Sequence, residues 1–160
     1  MDISIVIPVF DEMESLPTLH RDIHRAMLDL TMQWQVVYVD DGSRDQSLQV
    51  LKELAAEDKK HTRIVALRRN YGQTAAIAAG IDNTEGEIIV LMDADLQNDP
   101  ADIPMMLEKL DADYDVVSGW RVDRKDTFLT RTLPSRIANK LISWVTQVHL
   151  HDYGCTLKVY

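Results

Sequence analysis

Five short stretches of this chain, residues 3–7, 34–39, 64–67, 87–92 and 114–118, are close to continuously apolar, and the segments between them carry helical spacing. A strand with one wet face alternates apolar with polar residues. One that is apolar throughout is buried on both faces, as in a parallel sheet covered by helices. Between the stretches, Leu16, Leu19, Ile23, Met27 and Leu30 form one helical stripe. Further helices are expected over 48–54, the alanine-rich 73–81, and 103–110. The pattern predicts an α/β fold of three layers, α/β/α, around a mostly parallel sheet. At 160 residues the chain has the size of one domain. Leu129, Leu133, Ile137, Leu141, Trp144, Val145 and Val148 mark one stripe of a long helix, and residues 155–160 read as the start of another strand. The apolar ending Leu157-Lys158-Val159-Tyr160 looks like a domain cut short.

Composition narrows the function classes. Hydrophobic residues at 46% and charged residues at 27% exclude a disordered tail, a collagen-like chain and a coiled coil. A net charge of -9 makes a general nucleic-acid binder a poor reading, because phosphate neutralisation supplies most of that affinity. Cys155 is the single cysteine, which leaves no disulfide framework and no multi-cysteine zinc site. Asp2, Pro8 and Asp11 are wrong for a signal peptide, and the apolar runs fall far short of the ~20 residues of a membrane helix. The charge is uneven: over residues 121–140, Arg121, Arg124, Lys125, Arg131, Arg136 and Lys140 face only Asp123 and Asp126. Such a run is a solvated helix face or an anion-facing element. With the 129–148 stripe beside it, the segment is expected to lie on a membrane surface.

Ligands of open α/β sheets bind beyond the carboxyl ends of the strands. The polar residues there are Pro8, Phe10, Asp11 and Glu12 after the first strand, and Asp40, Asp41, Gly42 and Ser43 after the second. Arg68, Arg69, Asn70 and Gly72 follow the third, Asp93, Asp95 and Gln97 the fourth, and Ser118, Gly119, Trp120 and Arg121 the fifth. Crowded carboxylates repel unless a cation or basic ligand joins them. In an extended segment Asp93 and Asp95 share a side, about 7 Å apart, with Gln97 in step. Hard oxygen ligands so spaced suit Mg²⁺ or Mn²⁺ shared with a diphosphate. Asn98 or Asp99 with Pro100 reads as a helix start. Ser43 with Gln46 fits a capping box, which leaves one of Asp40 and Asp41 to accept from a nucleobase N–H or ribose hydroxyl. The alanines after Gly72 favour close helix-to-sheet packing. His20 and His24 lack the glutamate of H-E-x-x-H and read as a solvated helix face.

Three runs together, 4–12 (SIVIPVFDE), 39–45 (VDDGSRD) and 92–100 (MDADLQNDP), resemble a family 2 glycosyltransferase of GT-A fold. The DADLQ-x-x-P form is similar to the polyprenyl-phosphate branch, that of dolichol-phosphate mannosyltransferases and undecaprenyl-phosphate sugar transferases. Ser118-Gly119-Trp120-Arg121 and Asp152-Tyr153-Gly154-Cys155 sit where that branch has related motifs. The resemblance implies inverting transfer of a sugar from a UDP- or GDP-sugar to a polyprenyl phosphate, at the cytoplasmic face of the plasma membrane. It places Pro8, Phe10, Glu12, Asp40, Asp41, Arg69, Gly72, Asp93, Ala94 and Asp95 at the nucleotide sugar. Asp93, Asp95 and Gln97 would hold Mg²⁺ or Mn²⁺, with Asp93, Asp95 and Arg121 catalytic. Arg121, Arg131 and Ser118 would meet the acceptor phosphate. The family's domain normally continues past the position of Tyr160.

Two other classes compete. A nucleotide-sugar-binding fragment without turnover has the same site. A phosphoacceptor receiver domain needs its acid pair after the first strand, whereas here the pair follows the second. Within the enzyme reading, a phosphate monoester with a second pKa of about 6 is already ionised near pH 7. The reaction then needs no protein base, and Asp152 is a turn residue before Gly154.

Overall fold

The computed structural model describes residues 1–111, 114–120 and 155–160. In chain order the elements are β1 (Ile3–Val9), α1 (Leu16–Met27), β2 (Trp34–Asp40), α2 (Ser47–Glu57), β3 (Thr62–Ala66), α3 (Gln73–Ile81), β4 (Ile88–Leu91), α4 (Ile103–Asp111), β5 (Val117–Ser118) and β6 (Lys158–Val159). A single 3-10 turn, Pro100–Asp102, leads into α4, and the Asp99 carboxylate caps it by accepting from the Ala101 N–H at 2.9 Å.

The sheet runs β3-β2-β1-β4-β6-β5. β1, β2, β3 and β4 are mutually parallel, whereas β6 lies antiparallel between β4 and β5. The chain winds outward from β1 to β3, then returns to the other side of β1 as β4. That reversal opens a crevice at the carboxyl ends of β1 and β4, the place where such sheets take ligands.

Strand parity divides the core. Ile3, Ile5, Ile7 and Val9 of β1 and Trp34, Val36 and Tyr38 of β2 pack with Leu16, Leu19, Ile23 and Met27 of α1 and Leu51 of α2. On the other face Val6, Val37, Val39 and Leu91 meet Ala76 of α3. The small residues of α3 let it approach closely: a Cβ on Gly80 would stand 2.4 Å from Val6 Cγ1 and 3.0 Å from Val39 Cγ2.

Several expectations shift. Pro8 does not end β1. It pairs in register with Val39, and β4 pairs with β1 only as far as Val6. Pro8 shares the parity of Val6, whose carbonyl accepts from Met92 N–H on the β4 side. Its missing N–H therefore falls where no partner strand stands. The capping box of Ser43 and Gln46 does not form: α2 starts at Ser47 with no side-chain cap on Gln46. Asp45 Oδ1 accepts from the Ser47 N–H at 2.9 Å instead. His20 and His24 are not a solvated face. His20 is 9% exposed within the buried stripe of α1, and His24 is half-buried. Among the described residues no helix is long and apolar enough to cross a membrane. The expected helix over 129–148 lies outside the described residues.

Candidate active site

Two loops frame the crevice, and their polar side chains are spent on holding each other. After β1 the chain turns through Asp11, whose φ of 56° is left-handed. Asp11 tolerates it because its Oδ1 accepts from the N–H groups of Arg44 (2.6 Å) and Asp45 (3.2 Å). In return Ser43 Oγ accepts from Asp11 N–H at 3.1 Å, Ser47 Oγ from Glu12 N–H at 2.8 Å, and Asp45 Oδ2 from Met13 N–H at 3.2 Å. These reciprocal bonds fix the β1–α1 loop against the β2–α2 loop.

The DD pair is split by the two-residue period of a strand. Asp40 continues the parity of Trp34, Val36 and Tyr38 and is 2% exposed; its Oδ1 has no hydrogen-bond partner among the described residues. Asp41 turns the other way. Its two oxygens accept from the N–H groups of Tyr71 and Gly72, both at 2.8 Å. That clamps the β3–α3 loop and sets Gly72, at φ 93°, as the N-cap of α3. Gly42, at φ 69°, lies so near the same loop that a Cβ there would be 2.4 Å from the Arg69 carbonyl carbon.

β4 stops at Leu91, and residues 93–97 form a turn rather than a continued strand. Leu96 adopts φ 60°, and the Gln97 N–H donates to Asp95 Oδ1 at 3.1 Å. The left-handed residue ends the alternation that would have kept Gln97 in step. Asp93 is fixed from two sides: Gln73 Nε2 donates to Oδ1 at 2.7 Å, and Thr156 Oγ1, just before β6, donates to Oδ2. Asp95 is exposed. One carboxylate is thus anchored and its neighbour presented to solvent.

The crevice is a cleft of about 390 Å³ lined by Pro8, Val9, Phe10, Glu12, Asp41, Asn70, Gly72, Gln73, Asp93, Ala94 and Asp95. Eight of the ten residues expected at the nucleotide sugar line it. Asp40 does not: as the last residue of β2 it shares the parity of Trp34, Val36 and Tyr38, on the face covered by α1 and α2. Arg69 does not either: its guanidinium lies 4.9 Å above the Tyr71 ring. Gln97 stands past the turn, outside the lining. Ser118 is in β5, half-buried and paired with Lys158 of β6. Arg121, Arg131 and Asp152 lie outside the described residues. The reading of the sequence passed over Gln73 and left Asn70 among the strand-end residues without a role. A signal was present for Gln73, since the first turn of the helix after a strand end faces the same edge.

Chemically the cleft offers exposed carboxylate oxygens of the hard-ligand type beside the amino end of α3, whose dipole favours an anion. Two carboxylates leave most of a divalent cation's coordination shell to other oxygens, which a diphosphate supplies.

Comparison with known proteins identifies the family and the fold. The model of the family described as Glycosyl transferase family 2 matches residues 4–160. A dodecaprenyl-phosphate galacturonate synthase of Rhizobium johnstonii is 45% identical over 100% of this chain and 48% of its own length. An undecaprenyl-phosphate 4-deoxy-4-formamido-L-arabinose transferase of Pseudomonas fluorescens is 46% identical over 99% of this chain and 46% of its own. The chain therefore spans about half the length of these relatives. Among solved structures, the glucosyl-3-phosphoglycerate synthase of Mycobacterium tuberculosis in complex with UDP superposes with a TM-score of 0.69 at 16% identity, covering 99% of this chain and 56% of that one. Its likeness supports the three-layer fold.

Proposed function

We propose a function on one premise: the chain belongs to glycosyl transferase family 2. The reaction is inverting transfer of a sugar from a UDP- or GDP-sugar to a polyprenyl phosphate, on the cytoplasmic face of the plasma membrane. The observation that carries it is the convergence of Asp93 and Asp95 with Glu12, Asp41 and Gly72 in one cleft at the β1/β4 reversal. The acceptor class is supported by relatives at 45–46% identity whose names place a polyprenyl phosphate in the reaction.

Each residue has a task set by its surroundings. Asp41, with two lone pairs taken by backbone N–H groups, keeps capacity to accept from a nucleobase ring N–H. Pro8 and Phe10 give the base an apolar wall. Asp95, exposed beside the anchored Asp93, would hold Mg²⁺ or Mn²⁺ with it. When bound, the cation neutralises charge developing on the leaving diphosphate. The amino end of α3 adds its dipole to the same charge. Arg121 and Arg131 position the acceptor phosphate as charge-assisted donors, assisted by Ser118. They draw the basic segment 121–140 to the membrane surface.

The test is a transfer assay with UDP- and GDP-sugars, a short polyprenyl phosphate and Mn²⁺. A lipid-linked sugar of inverted anomeric configuration is the expected product. Donor bound without any lipid product overturns the transfer and selects the binding-only reading. In the same assay Asp152→Asn loses little and Arg121→Ala far more. A fall of ~10² or more in Asp152→Asn, the size expected of a lost base, contradicts a base-free reaction.

A further inference from the structure

On the α1–α2 face, at the amino end of the sheet, the donor-binding cleft has a chemical opposite: a nest of imidazoles around one carboxylate. His20 and His24, one helical turn apart, put their ring centroids 4.6 Å from each other. Asp58, at the C-terminus of α2, reaches them from the neighbouring helix, with Oδ2 2.9 Å from His24 Nε2. One ligand atom from each of His20, His24 and Asp58 lies within 4.8 Å of the other two, a convergence that no other set of three His, Cys, Asp or Glu among the described residues shows. We infer that these three side chains form a binding site for a borderline divalent cation of the zinc class, separate from the donor cleft.

Four observations support the assignment beyond proximity. First, His24 Nε2 is buried and makes no aligned hydrogen bond, although Asp58 Oδ2 is 2.9 Å away. The contact is an ion pair when the imidazole is protonated, and two donor atoms within reach of one ion when it is neutral. Second, the outer partners are in place. His20 Nδ1 lies 3.1 Å from the buried Tyr38 hydroxyl, which leaves Nε2 for a metal. His61 Nδ1 (3.0 Å) engages Asp58 Oδ1, on which the His61 N–H also converges, while Oδ2 accepts from Thr62 Oγ1 at 3.3 Å and faces His24 with its remaining lone pair. Such partners fix ring orientation in metal sites. Third, His20 is buried at 9% exposure, so its ring is screened from the water that competes for a metal. Fourth, a cavity of about 500 Å³ lined by His24, Trp34, Lys60 and His61 gives an entry path from solvent.

The geometry asks for a modest contraction. Zn–N and Zn–O bonds of about 2.0–2.1 Å place tetrahedral ligand atoms about 3.3 Å apart. The His24–Asp58 pair is already inside that distance, and the three ligand atoms lie within 4.8 Å of one another. Imidazole nitrogens favour zinc-class ions over Mg²⁺, which separates this site from the all-oxygen donor cleft. Three protein ligands leave a fourth position for water. Trp34, stacked on His61 at 4.3 Å and edge-on to His24 at 4.9 Å, closes the apolar side.

The test is calorimetric titration of the chelator-stripped chain with Zn²⁺ on an Asp95→Ala background, which removes the exposed carboxylate of the donor cleft's acid pair. One equivalent is expected to bind, with affinity falling ~10-fold or more in His24→Gln and in His20→Gln while the far-ultraviolet circular dichroism is unchanged. Absence of a bound equivalent, or an affinity in either histidine variant equal to that of the chain with both histidines, overturns the assignment. Ring-nitrogen NMR of the chain without histidine substitutions keeps the test valid should a variant misfold. Zn²⁺ must shift the His20 and His24 resonances, and unmoved resonances at saturating Zn²⁺ overturn the site.

Discussion

Asp41 shows how one residue serves two levels at once. It is 3% exposed, and its carboxylate satisfies the Tyr71 and Gly72 N–H groups, which have to be positioned for α3 to begin beside the cleft. Removing it takes the partner from two part-buried donors that water can reach in part, at a cost of about 1 kcal/mol. Asp41→Ala should therefore lower the unfolding free energy read from urea denaturation by that amount and weaken nucleotide binding as well. Asp95→Ala, at an exposed position, should weaken binding with the midpoint unchanged. His20 carries the pH dependence. Its folded pKa is depressed by burial and by His24, so the folded state holds fewer protons than the unfolded one between that value and 6.5. Stability is therefore full above 6.5 and declines as pH falls through the window below it. His20→Gln should flatten the slope of unfolding free energy against pH there. An unchanged slope would assign the dependence to other groups.

At the scale of elements, the four parallel strands and four helices were legible because continuous apolar runs and helical stripes have no other reading in a covered sheet. Asp58 and the α2 terminus show where boundaries escape: α2 runs on to Glu57, past the last leucine that periodicity marks. The strand over 114–118 shrinks to Val117–Ser118, since β6 pairs only those two positions. The turn after β4 was legible in composition but not in direction, because a left-handed Leu96 has no propensity signature. His20 was legible in principle. It sits between Leu16 and Ile23 in the same stripe, at spacings of four and three, and polarity outweighed position. Packing of α3 gives a clean test: Gly80→Ala sets a methyl 2.4 Å from Val6 Cγ1, and overpacking of that kind costs typically 1–3 kcal/mol. The Gly→Ala gain in helix propensity, about 1 kcal/mol, is of the opposite sign. A net loss of thermal stability is expected, partly restored in Gly80→Ala/Val6→Ala.

Over the whole molecule, the reversal of strand order places every acid of the cleft on one edge, while the histidine nest occupies the other end. The sequence motifs pointed to the same edge residue by residue, but not to the division of labour within each pair. Asp40 is buried and Asp41 lines the cleft; Asp93 is anchored and Asp95 exposed. That division yields the central claim, that the cleft holds a nucleoside diphosphate through a cation on Asp95. The direct measurement is calorimetric binding of UDP and of GDP, each with Mn²⁺ and with EDTA, to the native chain and to Asp95→Ala. Mn²⁺ should strengthen binding of one of the two nucleotides by ~10-fold or more, about 1.4 kcal/mol, in the native chain only. Equal affinity with Mn²⁺ and with EDTA for both nucleotides in the native chain would contradict it.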